Sequence, residues 1–207
     1  MSRPFTFVKG LLRTLRGRVR LYMRIGGAPE IARRYFVTNA FDATLTALGI
    51  IIGAYVGGIL EPRVVVHAGI GGALAMGLSG FVGTYITERA ERVRRLRELE
   101  RIMLVELNDS LIGKAVIYSS ALIAIASGSA PPLSAIITLS PFIIASQGLI
   151  PVHTAFIMAI ALNLGLLFAL GSLLGRISRE NYLLYGVLTM ASGMLVAIVG
   201  LLLQMGL

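Results

Sequence analysis

Long apolar runs alternate with short charged segments along this chain of 207 residues. The longest stretch without Asp, Glu, Lys or Arg covers residues 115–175. A helix that crosses a bilayer needs about 20 apolar residues, and in lipid the backbone must satisfy its own hydrogen bonds. Because the runs are continuous and show no period-two alternation, the pattern predicts an all-α, multi-pass membrane protein.

Five apolar runs are predicted to be transmembrane helices. They are residues 37–60, residues 64–87, a run that starts near Leu111, residues 152–174 and residues 182–206. The third run is predicted to break at Pro131–Pro132, because proline lacks the backbone donor of a helix interior. Residues 133–150 are then a helix continuation, a re-entrant piece or a short extra span.

The distribution of charge predicts the topology. The formal net charge is +9, and nine of the nineteen basic residues lie in the first 34 positions, with Glu30 as the one acid among them. Cytoplasmic segments carry an excess of Lys and Arg, so the N-terminus is predicted to be cytoplasmic and, after five spans, the C-terminus outside. A nucleic-acid-binding arm is the weaker explanation of this basic segment, and we expect no nucleic acid partner.

Two regions are predicted to lie outside the bilayer. Residues 1–34 form a basic N-terminal segment, which is either an amphipathic helix on anionic lipid or a disordered tail that only sets orientation. The second region, residues 88–109, belongs to the transmembrane domain of residues 35–207. It is rich in Glu and Arg at i,i+4 spacing, which predicts a helical extension of the second span into the cytoplasm.

The composition argues against several kinds of active site. The sequence contains no Cys and two His, and no Gly-rich phosphate loop followed by Lys and Ser or Thr. A thiolate metal site, a nucleophilic catalytic centre and an ATPase domain are therefore not predicted. We expect neither an enzyme nor a permanently bound cofactor. The small size and the lack of a recognisable organelle-type targeting segment favour a prokaryotic plasma membrane.

Asp42 is the one acidic residue inside any predicted span, and a glycine follows at every fourth position from Gly49 to Gly57. A charge at this depth is unfavourable, and such residues usually face a cavity or a partner. A buried carboxyl group can hold a proton, and one that exchanges a proton for a cation is the minimal component of a proton-coupled metal carrier. The alternative is a structural Asp that caps the helix or pairs with Arg33 or Arg34.

Five further residues have side chains that can bind a metal ion. Met76 is a soft ligand in the second span, where packing is its more common role. His67, near the outer end of the same helix, is a ligand or an interfacial imidazole. Glu88, Glu91 and Glu98 share one face of the predicted extension and can receive a cation from the cytoplasm. Their alternative role is salt bridging, because Arg side chains lie at ideal spacing from them.

Three stretches of the sequence resemble the vacuolar iron transporter family. FDATLTALGIIIGA at 41–54 resembles that family's first helix, and GGALAMGLSGFVGTYITERAE at 71–91 resembles its second. LLFALGSLLGRIS at 166–178, followed by a glycine-containing helix, is similar to the last two spans, so the resemblance covers most of residues 31–207. It implies a five-helix, usually dimeric fold that exports Fe²⁺ or Mn²⁺ from the cytoplasm in exchange for protons.

Within this resemblance, Asp42 matches the family's functional first-helix Asp and Met76 its second-helix Met, on a pathway between the first two helices at the dimer interface. The large cytoplasmic metal-binding domain of the family is reduced here to residues 88–109. The family's missing ligands can be replaced by His67, by main-chain and Thr44 or Thr46 oxygens, or by two copies of Asp42 that meet across a dimer. A non-transporting scaffold and a passive cation channel are the alternative functions. Four positions depart from the family's motifs: Ala43, Ala68, Gly72 and Gly80.

Overall fold

A computed structural model describes residues 21–23 and 26–206, and within these residues the regular secondary structure is helical. Five long helices follow one another along the chain. They are α1 (Ala28–Val56), α2 (Pro62–Met103), α3 (Leu111–Ser146), α4 (Val152–Ser178) and α5 (Tyr182–Gly206). Each is long and apolar enough to cross a membrane. The prediction of an all-α chain with five membrane-spanning helices is therefore supported.

The helix ends differ from the predicted ones at two places. α1 begins at Ala28, so the last part of the predicted N-terminal segment belongs to the first helix. α2 extends beyond its apolar run, as predicted, but it ends at Met103 because Leu104 takes a left-handed backbone conformation with φ 54°. Residues 104–109 are consequently not helical. The prediction for the basic N-terminus concerns mainly residues 1–20, which lie outside the described residues.

The predicted break at Pro131–Pro132 is wrong. α3 passes through both prolines without interruption and ends at Ser146. Of the three alternatives for residues 133–150, the structure shows the helix continuation. Proline is tolerated inside a membrane helix where neighbouring helices and small residues accommodate it.

A glycine of α2 lies against the second of these prolines. A Cβ atom added to Gly77 would lie 2.9 Å from the carbonyl oxygen of Gly128 and 3.3 Å from the ring of Pro132. Small residues let two helix backbones approach closely in a membrane. The missing side chain at position 77 thus makes room for the proline ring in α3.

We expect Gly77→Val to destabilise the protein by about 1–3 kcal/mol, as forced overpacking usually does. The new side chain would meet a backbone oxygen, which cannot rotate out of the way. Thermal unfolding of the purified protein in detergent measures the change. Gly83→Val on the same helix is the matched control, since an added Cβ at Gly83 meets nothing within 4 Å. Equal melting temperatures for the two variants would contradict the close contact of α2 with α3.

The chain divides into two compact units. One unit combines the described residues up to Tyr35 with Gly80–Ser127. Its core includes Ala28 of α1 against Ile123 of α3. This unit holds most of the charged residues of α2, and its helices are joined by polar contacts as well as by apolar packing.

The second unit comprises Phe36–Ser79 and Gly128–Leu207, and α1 is its central helix. The α1 residue Ile51 belongs to a large apolar cluster with residues of α2, α3 and α4. Ile52 of α1 packs against α4 and also contacts α5 at Gly200. α1 contacts all four other helices, and one side of it between Thr38 and Gly53 remains exposed or partly exposed.

Candidate functional site

The uncovered part of α1 carries small and polar side chains. The opposite side is buried against the other helices and includes Thr44, Leu48 and Ile51, each with none of its surface exposed. Five residues of the uncovered side are three or four positions apart in sequence. Since each residue of an α-helix turns the chain by 100°, these five lie within about 80° of the helix circumference. They are exposed or partly exposed, and we name them the Asp42 face: Thr38, Asp42, Thr46, Gly49 and Gly53.

The Asp42 carboxylate has no hydrogen-bond or ion-pair partner among the residues that the structure describes. The Thr46 hydroxyl donates to the main-chain oxygen of Asp42 at 2.9 Å, which leaves the carboxylate free. Asp42 lies in the middle of the helix Ala28–Val56 and therefore does not cap it. The two structural alternatives, a helix cap and a pair with Arg33 or Arg34, are both contradicted.

This free carboxylate lies within the apolar part of α1. It is five residues from Val37, where the predicted span begins, which is about 7.5 Å along the helix axis. An Asp at the centre of a membrane helix is unfavourable by about 2.5–3.5 kcal/mol on insertion scales. A side chain at the surface of the chain and at this depth therefore needs a covering of water or of another polypeptide.

The glycines of the Asp42 face are not used for packing within the chain. A Cβ atom added to Gly49 or to Gly53 would meet nothing within 4 Å. The space beside Gly77, in contrast, is occupied by atoms of α3. Among the described residues, none fills the space beside Gly49 and Gly53, so another helix can approach the Asp42 face closely there.

Met76 is the predicted ligand that comes nearest to the level of Asp42. A five-residue turn joins α1 to α2, so the two helices run antiparallel, and Gly72 faces Ile50, with an added Cβ 3.6 Å from Ile50 Cδ1. Asp42 lies eight residues before Ile50, and Met76 lies four residues after Gly72 in the same direction along the helix axes. Met76 is therefore about four residues, or one helical turn, from the level of Asp42. His67 lies about 20 Å from that level along the axis, so it does not share a site with Asp42.

The glutamates of α2 are arranged differently from the prediction of a cation entry site. Arg92 Nε donates to Glu88 at 3.3 Å, and Arg95 Nε donates to Glu91 at 3.1 Å. The salt-bridge alternative is therefore confirmed for Glu88 and Glu91. Glu98 lies in a groove with three arginines and has no ion pair among the described residues.

The six predicted ligands do not form one metal centre. Within the described part of the chain, no three His, Cys, Asp or Glu side chains lie close enough together to hold a metal ion. Asp42 and Met76 lie on two adjacent helices, about one helical turn apart in level.

Asn163 on α4 is a buried polar residue that the sequence reasoning missed. Its side chain is fully buried, and Nδ2 donates to the Ala159 carbonyl oxygen at 2.8 Å. The other amide atom, Oδ1, has no partner among the described residues. Asn163 carries no charge, so reasoning from charged residues missed it. A polar amide inside the apolar helix Val152–Ser178 is nevertheless visible in the sequence. α4 packs on the buried side of α1 through Leu48, so Asn163 is not part of the Asp42 face.

Comparison with known proteins finds an archaeal relative that matches most of the chain. The sequence is 32% identical over 172 residues to the protein named uncharacterized protein MJ0645 from Methanocaldococcus jannaschii. The match covers 82% of this chain and 86% of that protein, so it includes most of the five helices. No protein-family model matches the sequence, and no solved structure matches it.

Proposed function

We propose that this chain, which belongs to the same family as the archaeal protein MJ0645, is a homodimeric transporter of divalent transition-metal ions. The unpaired Asp42 carboxylate on an open face of α1 is the observation that carries the proposal. The resemblance of α1 and α2 to the vacuolar iron transporter motifs suggests the substrate class. Fe²⁺ and Mn²⁺ are the first candidates, and the ion leaves the cytoplasm in exchange for protons.

A second copy of this chain is the partner that best fits the Asp42 face. In a symmetric dimer one surface patch meets the same patch of the other subunit. Gly49 and Gly53 allow the two α1 helices to approach closely, since a Cβ added to either glycine meets no described residue within 4 Å. The two Asp42 carboxylates then lie near the symmetry axis. Two such carboxylates supply four oxygen atoms to one site, whereas a single chain supplies the two of one carboxylate.

Asp42 links the metal ion to the proton through charge. Two ionised carboxylates carry two negative charges, which balance one divalent cation inside the apolar part of the dimer. Two protonated carboxyl groups are neutral and can also reside there. Binding of the ion therefore releases protons, and protonation releases the ion, so the two bind alternately. The Met76 thioether adds a soft ligand, which suits a transition metal better than Mg²⁺ or Ca²⁺.

A non-transporting membrane scaffold is the second candidate function. It is favoured by the small number of ligands around Asp42, since the described residues contain no cluster of three His, Cys, Asp or Glu. The positions Ala68, Gly72 and Gly80, where the resemblance leads one to expect metal ligands, also favour it. A scaffold gives no reason for an unpaired carboxylate in an apolar helix, and this ranks it second.

Metal flux in liposomes that contain the purified wild-type protein tests the proposal. Fe²⁺, Mn²⁺, Co²⁺, Zn²⁺ and Mg²⁺ are supplied in turn while the internal pH is recorded. We expect flux of Fe²⁺ or Mn²⁺ with opposite proton movement, and loss of uphill flux when a protonophore collapses the gradient. Flux that is insensitive to the proton gradient would identify a passive cation channel. No flux of any metal through folded, dimeric protein would favour the scaffold.

A further inference from the structure

The part of α2 beyond its apolar run presents a basic surface that the proposed transport does not use. Arg94, Arg97 and Arg101 follow one another at i, i+3 and i+7, and their positions fall within about 60° of the helix circumference. They line an open groove of about 620 Å³. We name this surface the Arg94 face, and its residues are Ala90, Val93, Arg94, Arg97, Glu98 and Arg101.

The guanidinium groups of the Arg94 face lack the carboxylate partners that their neighbours have. Arg92 and Arg95 are each paired with a glutamate one turn earlier. Among the residues described, no ion pair includes any arginine of the Arg94 face, and all three are exposed. Three positive charges against the one negative charge of Glu98 leave a net charge of +2. Like charges three or four residues apart on a helix repel each other, so an external anion would stabilise this face.

The chemistry of the groove fits phosphate. A guanidinium group presents planar N–H donors that match two oxygens of a phosphate, and arginine keeps its charge at any physiological pH. Ala90 and Val93, which line the same groove, have short side chains that leave room beside the three arginines. We propose that the Arg94 face binds a soluble anion that carries phosphate groups.

The position of the face along α2 favours a soluble anion over a lipid headgroup. The charge-free part of α2 ends at Thr87, and Arg97 and Arg101 follow ten and fourteen residues later. At a rise of about 1.5 Å per residue they lie about 15 and 21 Å beyond that point. The headgroup region on one side of a bilayer is only about 5–8 Å thick. Both arginines therefore extend past the headgroups of the membrane that α2 crosses.

Glu98 distinguishes an anion site from the cation entry site that the sequence predicted. A carboxylate in a cation site contributes a ligand, whereas in an anion site it repels the ligand. Glu98→Gln is therefore expected to strengthen anion binding several-fold. The inference does not rest on metal transport, because binding of the anion is measured without any metal.

Titration calorimetry of the full chain in neutral detergent, with tripolyphosphate and ATP as probes, tests the proposal. We expect the wild type to bind both, and Arg97→Gln/Arg101→Gln to bind roughly tenfold or more weakly, since one charged hydrogen bond contributes about 1.5–3 kcal/mol. The matched control is Arg89→Gln/Arg95→Gln, which removes two charges of the same helix outside the face. At physiological salt, where the screening length is about 8 Å, it should have a much smaller effect.

Three results would overturn the proposal. The first is no binding of either probe by folded wild-type protein, and the second is an equal loss of affinity in the two double variants. The third comes from repeating the titration in vesicles of phosphatidylcholine and in vesicles rich in phosphatidylglycerol. Binding that disappears only in the anionic vesicles would assign the Arg94 face to lipid headgroups, and unchanged binding supports the soluble ligand.

Discussion

Asp42→Asn is expected to lower metal flux by about a hundredfold or more, since removing one partner of a buried charge pair is worth about 3–5 kcal/mol. Asparagine keeps the shape of the side chain but carries no negative charge and has no proton to exchange. In the proposed dimer both copies of the carboxylate are lost, so the metal ion has neither its ligands nor its counter-charge. Flux and internal pH are measured together in liposomes, and both signals should disappear.

The matched control for this substitution is Asp109→Asn, which makes the same chemical change at an exposed position outside the predicted spans. It should transport like the wild type. Asp42→Asn should also unfold at no lower temperature than the wild type, because its carboxylate contacts no described residue of its own chain. Loss of flux would then reflect lost binding and not lost structure. If folded Asp42→Asn transports as well as the wild type, the carboxylate is not the exchange group and the carrier proposal fails.

The five-helix fold was predictable because the membrane leaves few alternatives. In lipid a backbone can satisfy its hydrogen bonds only as a helix or a closed barrel, and continuous apolar runs exclude the barrel pattern. The prolines of α3 were predicted wrongly because their environment is not local. The ring of Pro132 lies against Gly77, which is distant in sequence and leaves room for it. No window around the prolines contains that information.

The candidate site was predictable in part for a similar reason. Asp42 is conspicuous in the sequence because it is the one acid in the predicted spans, but its orientation depends on which helices surround α1. The i,i+4 spacing of Glu88 and Glu91 from arginines is compatible with both a salt bridge and a cation site, and only the side-chain geometry separates them. Asn163 carries no charge, so its isolation within an apolar helix was overlooked.

Gly53→Leu is expected to dissociate the dimer without unfolding the chain. A Cβ atom added at this position meets no described residue within 4 Å, so the fold can accept a side chain there. In the proposed dimer it would instead meet the α1 helix of the partner. Overpacking costs about 1–3 kcal/mol per contact, and a symmetric dimer contains the contact twice, so the dimer should weaken by roughly 2 kcal/mol or more. Light scattering of the protein–detergent complex measures the mass of the assembly.

Gly165→Leu is the matched control, because Gly165 on α4 is also exposed and an added Cβ there meets nothing within 4 Å. This variant should remain dimeric and active, whereas Gly53→Leu should lose metal flux together with the dimer. A second measurement in membranes is possible because the chain contains no Cys. A single Gly49→Cys should form a disulfide between two chains under oxidation, and the additional change Gly53→Leu should prevent it. A dimer that persists in Gly53→Leu would mean that a second copy does not cover the Asp42 face, so the metal would have to bind to one chain alone.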